Sequence, residues 1–525
     1  MPENEPLRPV REGRSRNPDM DAAEESDWLI VPEKEGNDAQ AEEPLEGRGQ
    51  TKENTHKPDA GSTQSEETAF PGLERVRRKA KEDKHVRFTA LLHHLTVDRL
   101  QASFLRLKRE AAPGVDGQTW KQYGQNLRDQ LVDLHGRVHR GAYRARPSRR
   151  VYLEKPDGRQ RPLGIAALED KIVQGAVVEI LNAIYEEDFL GFSYGFRPER
   201  GAHDALDALS VALQLEKVGW VLDADIQSFF DTMSHEWTMK FLQHRVADPR
   251  LLRLIQKWLR AGVSEDGEWS ATTIGTPQGA VISPLLANVY LHYALDLWAH
   301  QWRKQSVGEM FIVRYADDSV YAFQYQNDAE RFRAALAERL RQFGLELHPE
   351  KTRLIEFGRY AEQNRTKRGQ GPPDTFDFLG LTHICGRSKD GKFQVKRRTV
   401  AKRMRARLRA IQLELRTRMH KPAGETGSWL RSVLTGYYRY HAVPGNLPML
   451  ARFRHRVVLL WRHVLIRRGG QRKPSWQKLL PLFNRWLPQA TPQHPFPRTR
   501  FAVKHPRWEP YAGNPLVRIC PGGAS

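Results

Sequence analysis

The chain has 525 residues, room for roughly two to four domains with ample cores. Its apolar share of 39%, its mean hydropathy of −0.66 and the lack of any apolar run near the ~18–20 residues of a spanning helix exclude a helical membrane protein. Two distant cysteines, Cys385 and Cys520, exclude a disulfide scaffold or paired Cys-x-x-Cys zinc sites, and 84 Lys/Arg against 63 Asp/Glu leave a net charge of +21, so the expected partner is a polyanion, nucleic acid first.

Residues 1–70 hold 8 Lys/Arg and 18 Asp/Glu, a balance of −10, with no sustained helical or strand period. Too little apolar surface is available to offset chain entropy, so the stretch reads as an acidic disordered tail, the patch Trp28-Leu29-Ile30-Val31 included. Met1 to Arg16 carries charges and prolines where a secretion signal has an apolar core, so secretion is not expected. Helical patterns follow over Leu73–Lys84, Phe88–Leu107 and, after the turn cluster Pro113-Gly114-Val115-Asp116-Gly117, over Thr119–Val138. Val151-Tyr152-Leu153, Pro156-Asp157-Gly158 and Arg161–Ile165 read as strand, turn and return strand. Helices are predicted over Lys171–Tyr185 and Ala202–Leu215.

Three short apolar strands then carry acids. Trp220–Ile226 alternates Val221, Asp223 and Asp225 against Leu222, Ala224 and Ile226. Phe311–Tyr315 and Ser319–Phe323 flank Ala316-Asp317-Asp318 as a hairpin tip. Between them, Ser283-Pro284 reads as an N-cap with proline in the first turn, followed by a core stripe of Leu286, Val289, Tyr293 and Leu297. An isolated Asp-Asp pair is usually a solvated turn. Carboxylates gathered on adjacent strands, however, repel one another unless a cation joins them, and hard divalent ions are the cations that take such oxygens. Two such ions can clamp the attacking and leaving oxygens of a phosphoryl displacement.

Several blocks in order make the pattern specific. Tyr315-Ala316-Asp317-Asp318 resembles the Tyr-x-Asp-Asp signature of reverse transcriptases. Asp225–Asp231 resembles their first aspartate block, Gly275-Thr276-Pro277-Gln278-Gly279 their Pro-Gln-Gly block, and Arg150–Ile165 their fingers hairpin. Gly344–Thr352 and Phe376–Gly380 resemble the blocks that follow the catalytic hairpin. Gly436-Tyr437-Tyr438-Arg439-Tyr440-His441 and Pro113–Gly117 resemble the maturase segment and N-terminal extension of group II intron-encoded reverse transcriptases, in the form lacking the zinc-finger-like endonuclease.

The resemblance implies an α+β right-hand polymerase fold of fingers and palm, followed by a helical thumb/maturase domain. The divisions expected are an acidic tail at 1–70, a helical extension at 71–135, fingers and palm at 136–385, thumb/maturase at 386–480 and a basic nucleic-acid-binding segment at 481–525. It implies that Asp225, Asp317 and Asp318 hold two Mg2+ ions, with Mn2+ as a substitute. Asp223 shares a strand face with Asp225, and only the family pattern selects between them. Phe230 is implied as the gate beneath the sugar, Lys155 and Arg161 as triphosphate contacts, Gln278 as a border of the nucleotide site and Lys351 as an acid for pyrophosphate. Phe378, Leu379 and Gly380 match the primer grip. The implied partners are dNTPs, an RNA template with a DNA primer, group II intron RNA and a DNA target, without a membrane and with a homodimer as an option. The implied setting is a bacterial-type cytoplasm, associated with RNA or the nucleoid. Two alternatives stand beside this reading: a splicing cofactor with little polymerase role, and a domesticated reverse transcriptase in phage defence.

Residues 71–385 balance at +4, with 45 Lys/Arg and 41 Asp/Glu; residues 386–525 hold 31 and 4, a balance of +27. A helix over Thr399–Met419 sets an apolar stripe among Lys402, Arg403, Arg405, Arg407 and Arg409. With Arg439 and Arg454 in two further helices, Trp429–His441 and Leu450–Ile466, these cations are the expected RNA surface.

Overall fold

A computed structural model describes residues 71–154, 160–265, 267–276, 278–468 and 474–504. The acidic tail, Lys155, Pro277 and the stretch from His505 onward lie outside the described residues, as does the turn Pro156-Asp157-Gly158.

The chain begins with α1 (Pro71–Glu82), α2 (Val97–Arg106), α3 (Trp120–Gly124) and α4 (Leu127–His139). The helix expected over Phe88–Leu107 is shorter, because the Thr96 hydroxyl accepts from Arg99 N and starts α2 there. Upstream, Phe88 exchanges backbone hydrogen bonds with Arg245 and Ala247 instead of entering a helix. The helix expected over Thr119–Val138 is broken between α3 and α4, and Thr119 with Gln122 forms a capping box at its start.

The hairpin β1 (Ser148–Glu154) and β2 (Gln160–Ile165) leads to α5 (Leu168–Asp188) and α6 (Ala202–Leu215). In α5, Ile172, Val173, Val177, Ile180, Leu181 and Ile184 are fully buried, each contributing about 1.5–3 kcal/mol of transfer free energy. Next come β3 (Trp220–Ala224), α7 (Phe229–Thr232), α8 (His235–Gln243), α9 (Pro249–Arg260), β4 (Val263–Glu265) and β5 (Glu268–Ser270). Asp248 caps α9 and also accepts from Leu91 N and Leu92 N, tying the N-terminal helices to the body. Burial opposes its charge, yet these amides hold its carboxyl below the usual range.

The chain continues through α10 (Ser283–Leu291), a π-helical turn at His292–Asp296, α11 (Leu297–Trp302), β6 (Met310–Tyr315), β7 (Asp318–Phe323), α12 (Gln326–Arg341) and β8 (Arg353–Glu356). Two sequence readings change here. Ile282 precedes the helix, so Ser283 is its first residue and not the cap, and its hydroxyl pairs with that of Thr276 at 2.6 Å. The π turn fits an extra residue into one turn and so shifts the helical phase; Leu297 leaves the core stripe and is 39% exposed.

The remainder is α13 (Ala361–Lys367), β9 (Phe376–Phe378), β10 (Leu381–Arg387), β11 (Phe393–Thr399), α14 (Ala401–Thr417), α15 (Ala423–His441), α16 (Leu447–Arg468), α17 (Trp476–Trp486) and α18 (Pro497–Lys504). The expected divisions at 135/136, 385/386 and 480/481 fall inside α4, β10 and α17, and the helical C-terminal part begins at Ala401.

Among the described residues three sheets form, with strand orders β2-β1-β4-β5, β6-β7-β3-β8 and β11-β10-β9. The second is antiparallel, and its period-2 alternation feeds two cores. Leu222, Ala224, Ile312 and Tyr321 face the large core with α5 and α10, while Val221, Phe311, Val313 and Val320 face a second core with α6. A third core, including Ile411, Leu434, Phe453 and Trp461, joins α14–α17.

Candidate active site

The central sheet fixes the acids. β3 pairs with β7 through Ala224↔Ser319, and one step beyond that pair Asp225 and Asp318 stand at the same end of neighbouring strands. Asp225 lies just past β3, where its carbonyl accepts from His348 N at 2.8 Å and Ile226 bridges Leu347. Asp318 is the first residue of β7, so the tip of the β6–β7 hairpin is Ala316-Asp317. Ala316 holds φ +57, a left-handed conformation that suits glycine and costs other residues about 1–3 kcal/mol.

Asp223, Asp225 and Asp318 share one electrostatic neighbourhood. Burial pushes Asp223 up to about 8; Arg353, at 3.7 Å, pulls it down, while the charges of Asp318, Asp225 and Asp377 push it further up. Asp225 Oδ2 meets Lys351 Nζ at 2.8 Å. Among the described residues no three Asp, Glu, His or Cys side chains converge into a ready-made metal cage. The donor set still suits a small hard ion, which typically takes one or two carboxylates and completes its shell with water and substrate phosphate.

The nucleotide-side candidates gather through backbone contacts. Phe229 and Phe230 sit in the short helix α7; Phe229 is buried and Phe230 half-buried against the same core. Thr276 N donates to Phe230 O at 2.8 Å, and Gly275, at φ +81, has Phe230 O and Asp231 O within 2.9 Å of where a Cβ would stand. Gln278 O accepts from Gly164 N at 2.7 Å, so the Gln278-Gly279 segment is seated on the end of β2. The backbone of Arg161 pairs with Leu153 across the hairpin; its side chain, like all of Lys155, lies outside what is described.

Leu379 and Gly380 form a two-residue turn between β9 and β10, with φ of +47 and +80. Leu379 O accepts from the Tyr440 hydroxyl at 2.7 Å, and Gly380 O accepts from Val400 N at 3.2 Å. Tyr440, at the end of α15, thereby ties the turn to the C-terminal helices. Nothing in the run Tyr437-Tyr438-Arg439-Tyr440 tells which hydroxyl reaches out of the helix, so this contact is not legible in the sequence.

The structure sorts the seven basic candidates. Arg405, Arg409 and Arg439 are exposed. Lys402, Arg403, Arg407 and Arg454 are half-buried. Arg403 NH1 comes within 2.8 Å of a Cβ built on Gly380, and Arg454 donates to Leu487 O and Asn484 Oδ1. Burial lowers the Arg407 guanidinium from its usual range beside Tyr437. These four cations are thus partly covered by the protein itself, a difference from the exposed three that their spacing on α14 and α16 does not show.

The expected C-terminal nucleic-acid segment is partly engaged within the molecule. Helix α18 packs on α6, with Arg500 on Asp207 and Lys504 on Asp204. His494 stacks on His203 at 3.9 Å between centroids. No helix among the described residues is long and apolar enough to cross a membrane.

Residues 153–383 match the family model described as reverse transcriptase (RNA-dependent DNA polymerase). Protein YkfC of Escherichia coli K12 is 39% identical over 231 residues, covering 42% of this chain and 60% of that protein. Group II intron-encoded protein LtrA of Lactococcus lactis subsp. cremoris is 33% identical over 233 residues, 42% of this chain and 37% of that protein. An uncharacterized 91 kDa protein in the cob intron of Schizosaccharomyces pombe is 39% identical over 146 residues, 28% of this chain and 18% of that protein. The chain thus spans less than two thirds of the length of these relatives.

Proposed function

We propose that the chain is a member of the group II intron-encoded reverse transcriptases and maturases, an RNA-directed DNA polymerase that also binds intron RNA and assists splicing and mobility. The observation that carries this reading is the β3–β7 register, which supports a joint role for Asp225, Asp317 and Asp318 at one end of the sheet. Reverse transcriptases work with divalent metal ions; here we assign Mg2+, with Mn2+ as a substitute, to these three carboxylates. The ions would neutralise charge on the triphosphate and activate the primer hydroxyl.

The chain's own residues do the remaining work. Phe230 stands as the apolar wall under the nucleotide sugar, and Gln278 borders that pocket from the end of β2. Lys155 and Arg161 serve the triphosphate, and Lys351, beside Asp225, serves as the acid for the leaving pyrophosphate. Phe378, Leu379 and Gly380 orient the primer end. Exposed Arg405, Arg409 and Arg439 supply part of a phosphate-binding surface. The test is primer extension on an RNA template. Wild-type chain with Mg2+ should add dNTPs, and Asp317→Asn should abolish addition while leaving assisted splicing of the cognate intron RNA. Undiminished synthesis by Asp317→Asn would overturn the assignment.

A further inference from the structure

We propose that Arg314 is a positioning residue for polymerisation, its buried guanidinium holding the Ala316 turn so that Asp317 and Asp318 are correctly aimed. The inference rests on the polymerase reading above and deepens it. Arg314 is the one charged residue of β6, an otherwise apolar strand ending in Tyr315, and it is fully buried. A guanidinium has five N–H donors, and burying it is costly unless they are engaged. Here five contacts are made. Nε and NH2 fork onto the Asp296 carboxylate at 2.7 and 2.6 Å, NH2 also reaches Ser193 Oγ at 2.7 Å, and NH1 reaches Asn288 Oδ1 at 3.1 Å and Ala316 O at 2.7 Å.

The last contact separates this from an ordinary structural ion pair. Every donor of a buried guanidinium needs a partner, but the partner here is the carbonyl of the turn that carries the aspartates, not a further side chain of the core. Ala316 O belongs to a non-glycine residue at φ +57, immediately before Asp317. Such a conformation persists only where its surroundings over-determine it. Two further contacts close on the same turn. Asn288, besides accepting from Arg314, donates to Gly195 O at 2.7 Å. Gly195 in turn lies so close that a Cβ there would be 2.3 Å from Ala316 N. Asp296, the anchor of the fork, is the last residue of the π turn, where a changed helical phase re-aims side chains. Arg314 therefore links the π turn, the segment around Gly195 and the strained tip.

The experiment uses the full chain, a primer annealed to an RNA template and single-nucleotide addition across a Mg2+ titration. Arg314→Lys keeps a cation near Asp296 but lacks the planar fork needed to serve Asp296 and Ala316 O together. It should slow addition ~30-fold or more and raise the Mg2+ concentration for half-activity ~5-fold, as for a misplacement on the ångström scale. Adding Ala316→Gly to that variant should restore ~10-fold of the rate, because glycine holds a positive φ without the clamp. A wild-type rate and Mg2+ response in Arg314→Lys would overturn the proposal, and so would a loss that glycine does not relieve. If Arg314→Lys fails to fold by thermal melting, Asn288→Ser with and without Ala316→Gly gives the same two readings. Wild-type chain inactive on every template, with Mg2+ or Mn2+, would instead sink the polymerase reading, which separates the two failures.

Discussion

Gly195→Ala should cripple nucleotide addition without unfolding the chain. A Cβ built on Gly195 falls 2.3 Å from Ala316 N, 2.9 Å from the Tyr315 carbonyl carbon and 3.1 Å from Ala316 Cα. All three are backbone atoms of the hairpin that carries Asp317 and Asp318, so no side chain can swing away. Ordinary contact begins at 3.4 Å, and the tip must retreat by about 1.1 Å. Overpacking of this kind costs about 1–3 kcal/mol in stability. An error of ~1 Å in aligning reacting groups costs ~100-fold in rate. The assay is single-nucleotide extension of a primer on an RNA template, with primer–template affinity and a melting curve measured on the same preparation. Gly136→Ala is the matched control. Its added Cβ would lie 2.9 Å from Arg140 NH1, the far end of a flexible side chain, and alanine in the interior of α4 is favoured over glycine by ~1 kcal/mol. That variant should extend primers like the wild type and melt slightly higher. A Gly195→Ala protein within ~3-fold of the wild-type rate would refute the claim that the hairpin's position limits the reaction.

Tyr440→Phe removes the hydroxyl that donates to Leu379 O, and a net hydrogen bond of ~1 kcal/mol implies about 5-fold faster loss of the primer–template, read as shorter products in the presence of a trap. His383→Phe tests the buried imidazole on β10, which burial, with a smaller push from Arg397, lowers to about 3. Below its ordinary pKa of 6.5 the unfolded chain binds this proton and the folded chain does not, so stability falls as pH falls; between about pH 7.5 and about pH 5.5 the wild type should lose ~1.4 kcal/mol more than the variant in urea unfolding, and parallel losses would count against it. Arg405→Gln with Arg409→Gln should weaken RNA binding and flatten its salt dependence by about two phosphate contacts, whereas Arg407→Gln should lower the melting temperature and leave the salt slope alone.

Much of the candidate site was legible from one-dimensional pattern. Apolar alternation around Asp223 and Asp225 and the hairpin around Asp317 named the right strands, because a two-face sheet imposes a period of two on its sequence. The breaks in that legibility have physical causes. The stripe Leu286, Val289, Tyr293 and Leu297 assumed an unbroken 3.6-residue period, and the π turn at His292–Asp296 shifts the phase before Leu297. Strand alternation runs on through Ile226 in the sequence, yet β3 ends at Ala224 and a short helix follows the left-handed Ser228. Arg314 was visible as a charge in an apolar strand, but its partners lie in segments around residues 193, 288 and 296, which no local pattern connects.

The same limit governs the charge. A balance of +27 over residues 386–525 reads as a continuous cationic surface, because sequence counts charges without their partners. Folded, some of those cations have acids from elsewhere in the chain. Arg397 and Arg500 both reach Asp207 on α6, and Lys504 reaches Asp204 one turn earlier. Burial raises the Asp207 carboxyl while the two guanidinium groups pull it back, the signature of a pair that is spent on holding parts together. The acids of α6 were counted in the near-neutral middle segment, and the cations they bind in the basic one. Helix α18 is thereby clamped through α6 to the sheet that carries the aspartates, and the proposed RNA surface would draw on cations that face solvent, such as Arg405, Arg409 and Arg439. Salt should therefore compete with RNA at that surface well before it loosens the buried Arg397–Asp207 contact, since exposed charges are screened far more effectively than buried ones.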